Sequence, residues 1–113
     1  MAILNEVKDK IKALPVFEKR QDRDDYIEIV FYNRDIEKWN IVLNGFLGQA
    51  IKPAGAKADK DLQNSVKEYG GINDNQTLFK KDFNNECVLA MYWPWQNDKH
   101  TTLKIILQKR GET

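Results

Sequence analysis

The sequence has 113 residues, of which 42% are apolar and 31% charged, the length and composition of one domain able to bury a core. That is far from the hydrophobe-poor, high-charge composition of chains that stay disordered. Lysine plus arginine number 18 against 17 acids, so a net charge of +1 offers no basic reservoir for a phosphate backbone, and no apolar run approaches the ~18 residues of a membrane span.

The first ten residues, MAILNEVKDK, lack a basic segment followed by an apolar core, so no secretory leader is expected. Residues 3–14 carry Ile3, Leu4, Val7, Ile11 and Leu14 at three- and four-residue steps, which predicts an amphipathic helix stopped by Pro15. Residues 18–25, EKRQDRDD, are wholly polar and read as a solvated connector. Asp22, Asp24 and Asp25 lack the spaced ligands and the glycine of a calcium loop. Residues 26–32, YIEIVFY, are β-branched and aromatic and predict a strand, with Ile27, Ile29 and Phe31 on one face.

Asn33 is placed to cap a helix over 34–47, in which Ile36, Trp39, Leu43, Phe46 and Leu47 form a wide stripe and Gly48 follows as terminator. After a connection over 48–58, Asp59 caps a short helix over 59–69 with Leu62, Val66 and Tyr69 inward, ended by Gly70-Gly71. Three strands follow over 76–83, 87–95 and 101–109, with turns at Asn84-Asn85 and Gln96–Lys99 and a frayed tail over Arg110–Thr113. The order α-β-α-α-β-β-β predicts a single two-layer α+β domain over residues 1–113. Its mostly antiparallel four-stranded sheet would carry about three helices on one face.

The parity of the last hairpin decides the faces. An odd loop pairs Trp93 with Leu103, Met91 with Ile105 and Leu89 with Leu107, the better apolar match, and this register is expected. It leaves Tyr26, Val30, Tyr32, Val88, Ala90, Tyr92 and Ile106 on the outer face, too apolar for open water. The cover would be a subunit, a ligand or the chain's own first helix. The leading functional expectation is therefore non-covalent association through that face, as a homodimer or a protein-interaction module.

The alternative is a small-molecule or anion-binding protein, an enzyme among the options, with a pocket among Lys52, Lys57, Trp93, Trp95 and His100. Lysines beside a helix start suit an anion, and an aromatic wall suits a planar ligand. No G-x-x-x-x-G-K-[ST] phosphate loop is present, and no cofactor is implied. One cysteine and one histidine cannot complete a zinc site, and the lone Cys87 excludes an internal disulfide, which suits a cytoplasmic chain. Cys87 and His100 fall at opposite ends of the last hairpin, too far apart for a nucleophile–base pair, so no catalytic constellation is expected. Tyr26, Tyr32 and Tyr92 with Lys80 and Lys104 would be the platform for stacked nucleic acid, but the near-neutral charge argues against it.

Overall fold

A computed structural model describes residues 3–57, 59–67, 71–83 and 86–109. Its elements are α1 (Ile3–Ile11), β1 (Glu18–Asp22), β2 (Tyr26–Tyr32), a 3-10 turn (Asn33–Asp35), α2 (Ile36–Leu47), α3 (Lys60–Val66), β3 (Thr77–Phe83), β4 (Glu86–Pro94) and β5 (His100–Lys109). The five strands form one sheet in the order β1-β2-β5-β4-β3, antiparallel at every pairing. The fold is thus α+β, as expected, but with five strands rather than four and with helices on both faces.

The extra strand is β1, the segment read above as a connector. All five of its side chains are exposed, so it has no apolar alternation to betray it. It is held by pairing with β2, from Glu18 opposite Val30 to Asp22 opposite Ile27, with an irregularity between Lys19 and Gln21. A short, charged, irregular strand suits the rim of a sheet, because it resists pairing with a second chain. At the other rim, Lys52 bridges Leu78 of β3 and occupies part of that edge.

One core lies between the sheet and the first two helices. Leu4 and Val7 of α1 and Trp39, Leu43, Phe46 and Leu47 of α2 meet Ile27, Ile29, Phe31, Phe79, Val88, Ala90, Tyr92, Leu103 and Ile105. The α2 stripe is the one its sequence predicts. Gly48 ends the helix at φ +83, a conformation that suits glycine, and its N–H donates to the carbonyl of Asn44. Asn33 is not the expected cap: its side-chain oxygen accepts from Thr101 Oγ1 at 2.6 Å, tying the entry of α2 to β5.

A second core lies on the opposite face, where Val66 of α3 and Ile72 are buried with Leu78, Cys87, Leu89, Met91 and Ile106. Leu62, Tyr26 and Trp93 pack at its margin. Asp59 caps α3 as expected, accepting from the Leu62 N–H at 2.8 Å. Gly71 takes φ +73 just beyond the helix. The expectations for Ala58, Tyr69, Gly70, the Asn84-Asn85 turn and the tail lie outside the described residues.

The last hairpin adopts the register not expected. Met91 pairs with Lys104, Tyr92 with Leu103 and Trp93 with Thr102. The loop has four residues, 96–99, closed by the Trp95 N–H donating to His100 at 2.9 Å. Its chemistry selects this length. Asn97 Oδ1 accepts from the N–H groups of Lys99 and His100, and Asp98 takes the left-handed region at φ 60. Apolar matching could not choose, because α3 buries the second face as well. The consequence is a correction: Val88, Ala90 and Tyr92 belong to the α1–α2 core, while Leu89, Met91 and Trp93 turn to the other side. Pro94 costs no ladder bond, because β3 begins at Thr77, opposite Tyr92, and leaves Pro94 beyond its end.

Tyr92 donates to Asn40 Oδ1 at 2.7 Å, and burial, aided by the charge of Glu37, pushes its phenol far above the ordinary value. Tyr26 donates to Glu28 Oε1 at 2.5 Å; burial first, then that hydrogen bond, raise it likewise. A pKa raised by folding gives stability that is present below the unfolded value of about 10 and is lost as pH climbs through the folded value. Of the chain's four tyrosines, these two should therefore stay protonated at alkaline pH until the fold opens. Phenolate absorbance followed beside circular dichroism checks this: ionisation of both within the intact fold would contradict it, and Tyr92→Phe should remove one late proton.

Candidate functional site

The structure divides the predicted pocket. Lys52 is 1% exposed and no part of a basic surface. Its Nζ donates to the carbonyls of Gln76 at 2.5 Å, Asp74 at 3.1 Å and Pro53 at 3.4 Å. An ammonium has three N–H donors, and all three have backbone acceptors, so none is left to hold an anion. Burial pushes its pKa down, against the opposing charge of Asp74. Lys57 is exposed in the loop beyond. Trp93 packs at the margin of the second core with the Lys104 ammonium 4.2 Å from its ring centre, and its indole Nε1 is buried with no acceptor.

Trp95 and His100 do come together, with ring centres 5.0 Å apart. They form part of a larger aromatic cluster at one end of the sheet. His100 stands 4.3 Å from Phe17 and 5.5 Å from Tyr32. Phe17 meets Tyr32 edge-on at 5.6 Å and Trp95 edge-on at 6.1 Å. Such edge-to-face contacts set the positive ring edge against a negative ring face, and they join these rings without filling a core. Two guanidinium groups cover it: Arg34 lies 4.5 Å from the Tyr32 ring centre and Arg20 lies 5.5 Å from that of Trp95. Arg20 also pairs with Glu28 at 3.6 Å and Glu18 at 3.5 Å, so both signs of charge occur on this surface.

The histidine's tautomer follows from its neighbours. Asn97 Oδ1 is occupied by two backbone N–H groups, so its Nδ2 faces His100 Nδ1 at 3.0 Å. An amide nitrogen only donates; Nδ1 therefore accepts, and the ring proton sits on Nε2. Trp95 Nε1 donates to Thr102 Oγ1 at 2.8 Å, which fixes the indole on this face. Tyr32, Asn33, Arg34, Asp98, Lys99 and His100 line an open cleft of about 350 Å3 beside the cluster.

Two members, Phe17 and Arg20, escape sequence reasoning because they flank and belong to a strand with no readable pattern. The one available signal is the pair Val16-Phe17 set alone before a charged run; they are 41% and 45% exposed, unusual for large apolar side chains. The expected association surface is also divided. Tyr26, Val30, Tyr32 and Ile106 share the α3-side face, and Tyr26 and Ile106 contribute to the second core, while Val88, Ala90 and Tyr92 lie opposite. Cys87 is buried opposite Gln108, eight positions along β5 from His100, or roughly 26 Å at ~3.3 Å per residue, so the two do not meet. Among the described residues no three His, Cys, Asp or Glu side chains gather as a metal site.

The fold class is a five-stranded antiparallel α+β sheet with a half-open aromatic cluster at one end, and no helix among the described residues is long and apolar enough to cross a membrane. No family model matches the chain, and neither a curated protein nor a solved structure matches it.

Proposed function

We propose that the chain works by non-covalent association, as a homodimer joined through the aromatic end of the sheet. The observation that carries this reading is the cluster of Phe17, Tyr32, Trp95 and His100, which α3 does not cover and in which Phe17 is 45% exposed. Aromatic and arginine side chains are the residue types enriched where protein surfaces meet. A two-fold contact joins a surface to its own copy, so it needs both charges within one patch. Arg20, Arg34, Glu18 and Glu28 supply them. The charged rim of β1 disfavours the other common route to dimers, strand pairing at an edge. The near-zero net charge adds little repulsion between copies.

Sedimentation equilibrium at tens of micromolar tests this. A mass near twice 13.2 kDa is expected, falling to the monomer for Phe17→Asp with the far-ultraviolet circular dichroism unchanged. A wild-type monomer, or a dimer indifferent to Phe17→Asp, would exclude this interface.

A second reading is supported by the cleft beside the cluster. Arg34, Lys99 and His100 line it against one carboxylate, Asp98, so it suits a small planar anion over Tyr32. A melting shift with phenyl phosphate that Arg34→Ala abolishes, in a chain that stays monomeric, would favour this reading over the dimer.

A further inference from the structure

A separate feature lies on the other face of the sheet. The apolar stripe of α1 is graded along its length. Leu4 and Val7 are fully buried, but Ile11 and, just past the helix, Leu14 are only half-buried. Beyond β2 the sheet offers them nothing apolar, because the β1 residues on this side are Lys19 and Asp22, opposite Ile29 and Ile27. The end of the helix therefore overhangs a gap. That gap is a cleft of about 340 Å3, a volume at the lower end of the ~300–1,000 Å3 of small-ligand sites. Its floor and walls are Ile11, Leu14, Val16, Ile27 and Ile29, and Val16 is 41% exposed at the mouth.

The rim is charged and the charge is uneven. Lys8, Lys12 and Lys19 face Asp9 and Asp22 across it. Asp22 is committed to two lysines at once, Lys8 at 2.9 Å and Lys19 at 3.4 Å, and the hydrogen bond from Lys8 holds its carboxyl below the usual carboxylate range. Three lysines against the two carboxylates of Asp9 and Asp22 leave one positive charge in excess at the mouth. Without Lys12 the rim would be neutral, and among the described residues no ion pair engages Lys12. An apolar floor under a cationic rim selects a molecule with an apolar body and a negative head.

We infer that the cleft between the end of α1 and strands β1 and β2 binds a small amphiphilic anion, its apolar body on Ile11, Val16 and Ile27 and its head group at Lys12 and Lys19. A neutral or cationic amphiphile of the same length matches the floor but not the rim.

Three probes of one chain length separate body from head: octanoate, octanol and octylammonium, titrated into the full chain and followed by amide chemical shifts. Octanoate is expected to shift residues 11–16 and 19, with octanol about tenfold weaker and octylammonium weaker still. Lys12→Glu should weaken octanoate about tenfold without changing octanol, and Val16→Asp should weaken both. Both positions are exposed, so the melting temperature should hold and a loss of binding is not a loss of fold. Equal binding of the three probes, shifts elsewhere on the molecule, or no shift with octanoate at millimolar concentration would each overturn the assignment.

Discussion

Replacing Lys52 with methionine should destabilise the fold by roughly 2 kcal/mol, out of proportion to a lysine in a loop. Methionine keeps most of the stem and its packing, so the substitution isolates the ammonium. That group is buried and donates to Pro53, Asp74 and Gln76, three carbonyls with different sequence neighbours. Around it the Ile51 and Lys52 N–H groups donate to Leu78, Leu78 returns one to Lys52, and Gln76 Oε1 accepts from Asn73. Lys52 thus joins the 48–58 connection to the turn that feeds β3. Its loss takes the donor from the buried Gln76 carbonyl, at about 1–3 kcal/mol, whereas the Asp74 and Pro53 carbonyls still accept from the N–H groups of Gly55 and Ala56. For a chain of this length the melting temperature should fall by about 8–15 °C. Hydrogen exchange should quicken first at Gln76 and Leu78. A fall of only about 2 °C would mean that water satisfies the carbonyls as well as the lysine does.

Trp39 gives the second large effect, and its size depends on the replacement. The indole is fully buried and stacks on Phe31 with ring centres 5.1 Å apart and planes at 17°. Phe31 in turn meets Tyr92 edge-on at 5.4 Å, so the three rings join α2, β2 and β4. Trp39→Ala opens a cavity at that junction and should cost about 4 kcal/mol. Trp39→Phe should cost about 1 kcal/mol, because Trp39 Nε1 is buried with no acceptor and phenylalanine removes that unmatched donor along with some volume. Urea denaturation of the pair gives the comparison directly. Similar losses for both variants would show that the indole N–H, not the ring volume, holds the site.

The parts of this fold that sequence reasoning reaches are those where one face is wet and the other dry. The stripe of Leu4 and Val7, the stripe from Ile36 to Leu47 and the Asp59 cap all read directly, because solvent on one side imposes a period on the residues. The sheet's centre is different. In β4 every residue from Cys87 to Tyr92 is buried, so the period is absent and parity carries no information. A buried side on both faces removed the argument that would have chosen the hairpin register, and the four-residue loop around Asn97 chose it instead. β1 fails for the opposite reason, being wet on every residue. Lys52 fails because its role depends on carbonyls more than twenty positions away, with no local trace. Trp95 and His100 were legible as neighbours because one hairpin holds them; Phe17 and Arg20 reach them only through the strand that had no pattern.

The strand order also bears on how the molecule assembles during synthesis. β5 stands in the middle of the sheet, yet it follows the other four strands along the chain. A ribosome therefore releases two ribbons, β1–β2 and β3–β4, before the piece that joins them. Each ribbon waits with an unpaired inner edge and apolar faces exposed, and the pairing of Tyr26 with Ile106 closes a loop of some eighty residues, an entropically slow step. The nascent chain should accordingly depend on helpers that shield unpaired strands, and it is most prone to clump just before its final ribbon partner emerges.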